Sequence, residues 1–160
     1  MKFNQIIKKK SLEYCPYPVS NGIKEAIQTA KNMVEALIDV YGSQQRFRLV
    51  CAGSSGAILS ALAASILAGS VVEIIHIKKD GEKSHCEGDQ AEDYIDTVTV
   101  IIDDLISSGD TVCRIYKKFT EANPEHKIDA IIVNMRVEMH RLAERCSDII
   151  IDKLICNQTI

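Results

Sequence analysis

The residues of this chain best placed to do chemistry lie in one stretch, VTVIIDDLISSGDTV, from Val98 to Val112. A β-branched run (Val98, Val100, Ile101, Ile102) ends in two adjacent carboxylates, Asp103 and Asp104. Two apolar residues follow, then Ser107, Ser108, Gly109, Asp110 and Thr111, and then a segment patterned as a helix. Small residues at a helix start expose backbone N–H groups and hydroxyls, and the positive end of the helix dipole adds to their preference for a phosphate. Two carboxylates just before that turn can accept hydrogen bonds from sugar hydroxyls or organise a divalent cation. These residue types specify a site for a phosphorylated sugar. The bland alternative is a strand–turn–helix with a solvated acidic turn. A bare Asp-Asp or Ser-Gly would favour that alternative; the full pattern of strand, acidic pair and small-residue loop outweighs it.

Two further segments could meet that site. In LVCAGSSGAILSALA, residues Ala52, Gly53, Ser54, Ser55 and Gly56 form a second candidate anion loop, with glycines for close backbone approach and hydroxyls as donors. It lacks the lysine of a Walker A loop, and Ala57 stands where a GxSxG nucleophile elbow needs its second glycine. The other segment is the polar interval KKDGEKSHCEGDQAEDYID. Structureless connections longer than about 12–15 residues are uncommon in compact domains and usually act as lids or binding loops. On length and charge alone, a solvated loop and a lid account for it equally well.

The surrounding pattern supplies the elements that must hold these residues. Ser20 or Asn21 can cap a helix running to about Tyr41, with Ile23, Ile27, Ala30, Val34, Leu37 and Ile38 on one face and Gly42 as its stop. Strands are expected over 47–52, 71–77, 97–102, 128–133 and 148–152, and helices over 57–68, 110–122 and 136–145. Residues 53–56 read as a tight loop, and residues 1–19 as irregular, a hood or an N-terminal extension. Continuously apolar strands alternating with helices define an α/β fold. The expectation is a single domain over 1–160, with a mostly parallel central sheet flanked by helices. Ligands of such sheets lie beyond the carboxyl ends of the strands, where loops 53–56, 79–93 and 103–110 fall.

Composition narrows the class. A chain of 160 residues with net charge −3 has no extended basic surface, so no nucleic-acid partner is expected. No apolar stretch is long enough to span a bilayer, and MKFNQIIKKK lacks the apolar core of a signal peptide, so a cytoplasmic, membrane-free protein is expected. The six cysteines show no CxxC pair and no zinc spacing, and they read as reduced thiols, Cys51 and Cys113 as small buried hydrophobes.

The run VIIDDLISSGDT resembles the signature of type I phosphoribosyltransferases, which bind phosphoribosyl pyrophosphate (PRPP): a hydrophobic strand, two acidic residues, two apolar residues and a small-residue loop. The resemblance extends from about Arg48 to Ala122. It implies an enzyme that binds PRPP through Ser107, Ser108, Gly109, Asp110 and Thr111, with Asp103 and Asp104 on the ribose hydroxyls. It places the pyrophosphate at Ala52 to Gly56 and Mg²⁺ near the acidic pair, organised through the substrate. Lys83-Ser84-His85-Cys86-Glu87-Gly88 is similar to the KDHGEG segment of orotate phosphoribosyltransferases. That similarity implies a flexible loop in which Lys83 and His85 close over the pyrophosphate, often across the interface of a homodimer, and act with Asp104 in catalysis. Lys79, with Lys78, is similar to the basic pair preceding that segment, offset by a one-residue insertion. Cys86 in place of glycine and the acid-rich interval depart from the pattern.

Ser107 stands where 6-oxopurine enzymes usually carry an aspartate that handles a proton of the base; a serine cannot do so. The resemblance therefore implies an orotate-like pyrimidine as the accepting nitrogenous base. Tyr14 and Tyr17, beside Pro16 and Pro18, read either as packing anchors or as stacking groups for that base. Two other readings stay open: a sugar isomerase-type (SIS) phosphosugar domain, which shares GSS and SGxT loops, and a noncatalytic PRPP-binding regulator.

Overall fold

The computed structural model describes residues 1–12, 17–78, 90–135 and 137–159. Its strands are β1 (Lys2–Lys8), β2 (Arg46–Cys51), β3 (Val71–His76), β4 (Thr97–Asp103), β5 (Ala130–Val133) and β6 (Ile150–Cys156). Its helices are α1 (Pro18–Asn21), α2 (Ile23–Tyr41), α3 (Gly53–Leu67), α4 (Asp110–Ala122) and α5 (Met139–Arg145). Among the described residues the strands form one sheet in the order β1-β6-β5-β4-β2-β3, and every neighbouring pair is parallel.

Side-chain alternation explains the apolar strands. Val100 and Ile102 of β4 pack with Leu49, Met33, Leu37, Leu59 and Ala63 on the face covered by α2 and α3. Ile101 between them packs with Val50, Val112, Ile115, Phe119 and Leu142 on the face covered by α4 and α5. A strand covered on both faces has no polar side to show, which is why VTVIID is nearly continuous in apolar residues. The α/β expectation of a mostly parallel sheet flanked by helices holds. No helix among the described residues is long and apolar enough to cross a membrane.

Several sequence expectations are corrected. Residues 2–8, read as part of an irregular segment, form β1, an edge strand in register with β6 from Lys2↔Ile150 to Lys8↔Cys156. Gly22 (φ 130°), not Ser20 or Asn21, precedes α2, because the chain makes the short helix α1 first. The expected tight loop 53–56 is the first turn of α3. Helix α5 starts at Met139, three residues later than the sequence pattern suggests, and β6 extends to Cys156. The expectation of reduced thiols fails for one pair. Cys113 of α4 and Cys146, just after α5, form a disulfide with Cα atoms 6.2 Å apart. The two cysteines are 33 residues apart in sequence, and only the packing of α5 against α4 brings them together. Cys51 and Cys156 are free and buried, as small hydrophobes are expected to be.

Strand order also fixes where a ligand can go. From β2 the chain crosses through α3 to β3 on one side, and from β4 it crosses through α4 to β5 on the other. The adjacent strands β2 and β4 therefore mark the point where the winding reverses, and the crevice beyond their carboxyl ends is where open α/β sheets bind ligands.

Candidate functional site

The crevice carries the residues singled out by their chemistry. A cavity of about 340 Å³ is lined by Ala52, Gly53, Ser54 and Ser55 from the β2–α3 junction and by residues 103–109 and 111 from the β4–α4 junction. Pairing of β2 with β4, with Val50 opposite Ile101, sets the two junctions side by side. Gly56 is off the cavity wall and serves packing: a Cβ there would lie 3.2 Å from Cys51 Cβ and 3.3 Å from the Ile102 carbonyl oxygen. A side chain there would make these neighbours give by a few tenths of an ångström, so the glycine suits the close start of α3 against both strands.

The two carboxylates differ in environment. Asp103 is 7% exposed, and its Oδ1 accepts the backbone N–H of Asp104 at 2.9 Å. Burial, followed by the neighbouring Asp104 charge, raises the Asp103 pKa to about 8. Asp104 is half-buried and lines the cavity with it. The pair thus offers hydrogen-bonding oxygens while carrying less than its full formal charge near neutral pH. Next to it, burial raises the pKa of the Cys51 thiol, so this cysteine is a packing residue and not a nucleophile.

In the phosphate-type loop, Gly109 caps α4 with φ 86°, the left-handed region that favours glycine. A Cβ at Gly109 would fall 2.9 Å from Leu142 Cδ2, since α5 rests on this turn. Gly109→Ala is expected to cost about 1–2 kcal/mol in backbone strain alone, and displacement of Leu142 adds to that cost. Thermal unfolding checks this; an unchanged melting temperature would show that the turn relaxes freely.

Ser107 is exposed at the mouth. The Ser108 hydroxyl donates to Asp110 Oδ2 at 2.7 Å and accepts the Asp110 N–H at 3.3 Å. Asp110, expected from the resemblance among the PRPP contacts, does not line the cavity. Its carboxylate is turned to Ser108 and to Arg145 Nε at 3.7 Å. Tyr17 is 59% exposed and is not part of the cavity wall. Lys79, Lys83, His85 and Tyr14 lie outside the described residues.

Sequence reasoning missed Arg114, which lines the same cavity. The available signal was helical spacing: Arg114 lies three residues past Thr111, on the same side of α4 and one turn in. Arg48, by contrast, is 2% exposed and fully engaged at the opposite end of the sheet, where it contacts Glu73 and the Glu92 carbonyl and donates to Thr99 Oγ1 at 3.2 Å.

No protein-family model matches this sequence, and no curated protein matches it. The fold has clear counterparts, and it is that of type I phosphoribosyltransferases. Adenine phosphoribosyltransferase from Thermoanaerobacter pseudethanolicus superposes with a TM-score of 0.58 at 17% identity, covering 87% of each chain. Orotate phosphoribosyltransferase from Francisella tularensis gives 0.57 at 11% identity, covering 91% of this chain and 69% of that one. The Helicobacter pylori xanthine-guanine-hypoxanthine enzyme gives 0.54 at 13% identity, covering 84% and 81%. At such identities the likeness is one of fold.

Proposed function

We propose that this protein is a phosphoribosyltransferase, moving ribose 5-phosphate from PRPP to a small nitrogenous base with release of pyrophosphate. The observation that carries this reading is a single cavity at the sheet's switch point, walled by an acidic pair and two glycine–serine helix starts. One helix start suits a sugar phosphate, the other a pyrophosphate, and the carboxylates between them suit ribose hydroxyls.

In this reading the C1–O bond to pyrophosphate breaks as a ring nitrogen bonds to C1, through a transition state with positive charge on the ribose. Catalysis is then mainly positioning and charge stabilisation. Ser107, Ser108, Gly109 and Thr111 hold the 5-phosphate, and Asp103 and Asp104 fix the ribose. Residues 52–55 hold the pyrophosphate, and Lys83 and His85 neutralise it as it leaves. Two carboxylates with no third ligating side chain among the described residues fit Mg²⁺, which is usually held by one or two carboxylates together with substrate phosphates and water. Mg²⁺ bound with PRPP would supply charge neutralisation on the pyrophosphate. The KSHCEG segment and Ser107 favour an orotate-like acceptor, and the same segment favours a homodimer.

Incubation with PRPP, Mg²⁺ and a panel of purine and pyrimidine bases, followed by pyrophosphate release, tests the activity. Asp104→Asn is expected to weaken PRPP binding about tenfold or more by calorimetry, as for loss of a charged hydrogen-bond acceptor, with the fold intact. Unchanged affinity would remove Asp104 from the ribose.

A further inference from the structure

We propose that Arg114 is a ligand of the phosphate held at residues 107–111, and that it selects phosphorylated over unphosphorylated sugars. The inference rests on the phosphoribosyltransferase reading for the identity of the sugar, but not for the presence of the anion.

Three independent observations meet at this side chain. Arg114 lines the cavity formed by Ser107, Ser108, Gly109 and Thr111, and also the adjoining groove with Lys117 and Arg145. Side chains of a helix tilt toward its N-terminus, so an arginine in the second turn of α4 leans back toward the loop that opens the helix. Its Nε is buried and has no hydrogen-bond partner among the described residues. The acid nearest in sequence, Asp110, is already engaged by Ser108 and Arg145. A guanidinium always carries its charge, and a buried N–H left unmade is costly. Arg48 shows how this chain treats a structural arginine: it surrounds the guanidinium with acceptors. Arg114 Nε has no such acceptor among the described residues, and the side chain lines the cavity where the helix start already favours an anion. A phosphate oxygen pair matches the planar fork of a guanidinium, which an ammonium cannot reproduce.

Calorimetry on the whole protein separates the possibilities, with ribose 5-phosphate, PRPP, inorganic pyrophosphate and ribose as probes. Arg114→Gln is expected to weaken ribose 5-phosphate and PRPP roughly tenfold or more, as for loss of a charge-assisted bond. Pyrophosphate affinity should stay unchanged, and the preference for ribose 5-phosphate over ribose should narrow. Arg114→Lys keeps the charge without the fork and should fall between the two; it carries the comparison if the glutamine variant fails to fold. Ribose 5-phosphate binding equal to wild type in both variants overturns the assignment, whatever PRPP does. If the wild type binds ribose 5-phosphate through Arg114 but does not bind PRPP, the anion site stands and the transferase reading falls. Wild-type protein that binds none of the phosphorylated probes overturns both.

Discussion

Lys83→Ala is expected to lower kcat about 10²–10³-fold, the size of effect seen when one preorganised donor to a developing charge is lost, with little change in PRPP affinity. The expectation joins the KSHCEG resemblance to the topology. The segment carrying Lys83 leaves the sheet after β3, and β3 pairs with β2, whose carboxyl end opens into the glycine–serine start of α3. Neighbouring strands lie about 4.8 Å apart. Lys83 is the fifth residue after Lys78 in the sequence, and five extended residues span at most roughly 17 Å. A charge that meets pyrophosphate mainly as it departs stabilises the transition state more than the ground state, and therefore acts on kcat. Steady-state kinetics beside calorimetric PRPP affinity provide the check. A variant that turns over normally but binds PRPP poorly would make Lys83 a ground-state contact. Mixing Lys83→Ala chains with Asp104→Asn chains, with subunit exchange verified, asks whether the lysine acts across a dimer: recovered activity requires a shared site.

Asp103→Asn is expected to stabilise the ligand-free protein at pH 8 and above, and to have little effect near pH 4. The folded state holds this carboxyl at a pKa of about 8 against an ordinary value of 3.8, chiefly because it is buried and then because Asp104 is beside it. Between those values the folded chain binds more protons than the unfolded one, so stability falls as pH rises through the interval and levels off above it. Any stability associated with the neutral carboxyl is fully present below the unfolded value and is lost as pH passes the folded one. The asparagine removes that dependence, and its Oδ1 can still accept the Asp104 N–H. A shift of this size corresponds to several kcal/mol at most, since each pKa unit is about 1.4 kcal/mol. Melting curves of both proteins from pH 4 to 9 should converge at the acid end and separate toward the alkaline end. Parallel curves would mean that Asp103 ionises in the folded chain as freely as in the unfolded one.

The parts legible in the sequence were those where local pattern and tertiary role coincide. Strand β4 announced itself because both of its faces are buried, and the acidic pair and small-residue loop follow it without interruption. Strand β1 was illegible for the opposite reason: KFNQIIK lies at an edge with five of its seven positions exposed, and only pairing with β6 makes it a strand. Gly-Ser-Ser-Gly reads as a loop on propensity, yet it folds as the first turn of α3 because Gly56 seats that helix against Cys51 and Ile102. The disulfide partners carry no local mark at all, and Arg114 carries only its helical spacing from Thr111. What distinguishes them is who stands beside them, or in the case of Arg114 who does not.

The adjacency of β2 and β4 has a metrical consequence. Both helix starts in the crevice hang from neighbouring strands, so the gap between the two anchoring points is fixed by main-chain hydrogen bonds and not by any side chain. The sheet works as a caliper. Substituting the serines changes how firmly each jaw grips but leaves the opening as it is. A compound with a single anionic end engages one jaw, whereas one whose two anionic ends match the opening engages both and gains from the second contact being intramolecular. Under the proposed function, the chain would select its ligand by length as well as by chemistry.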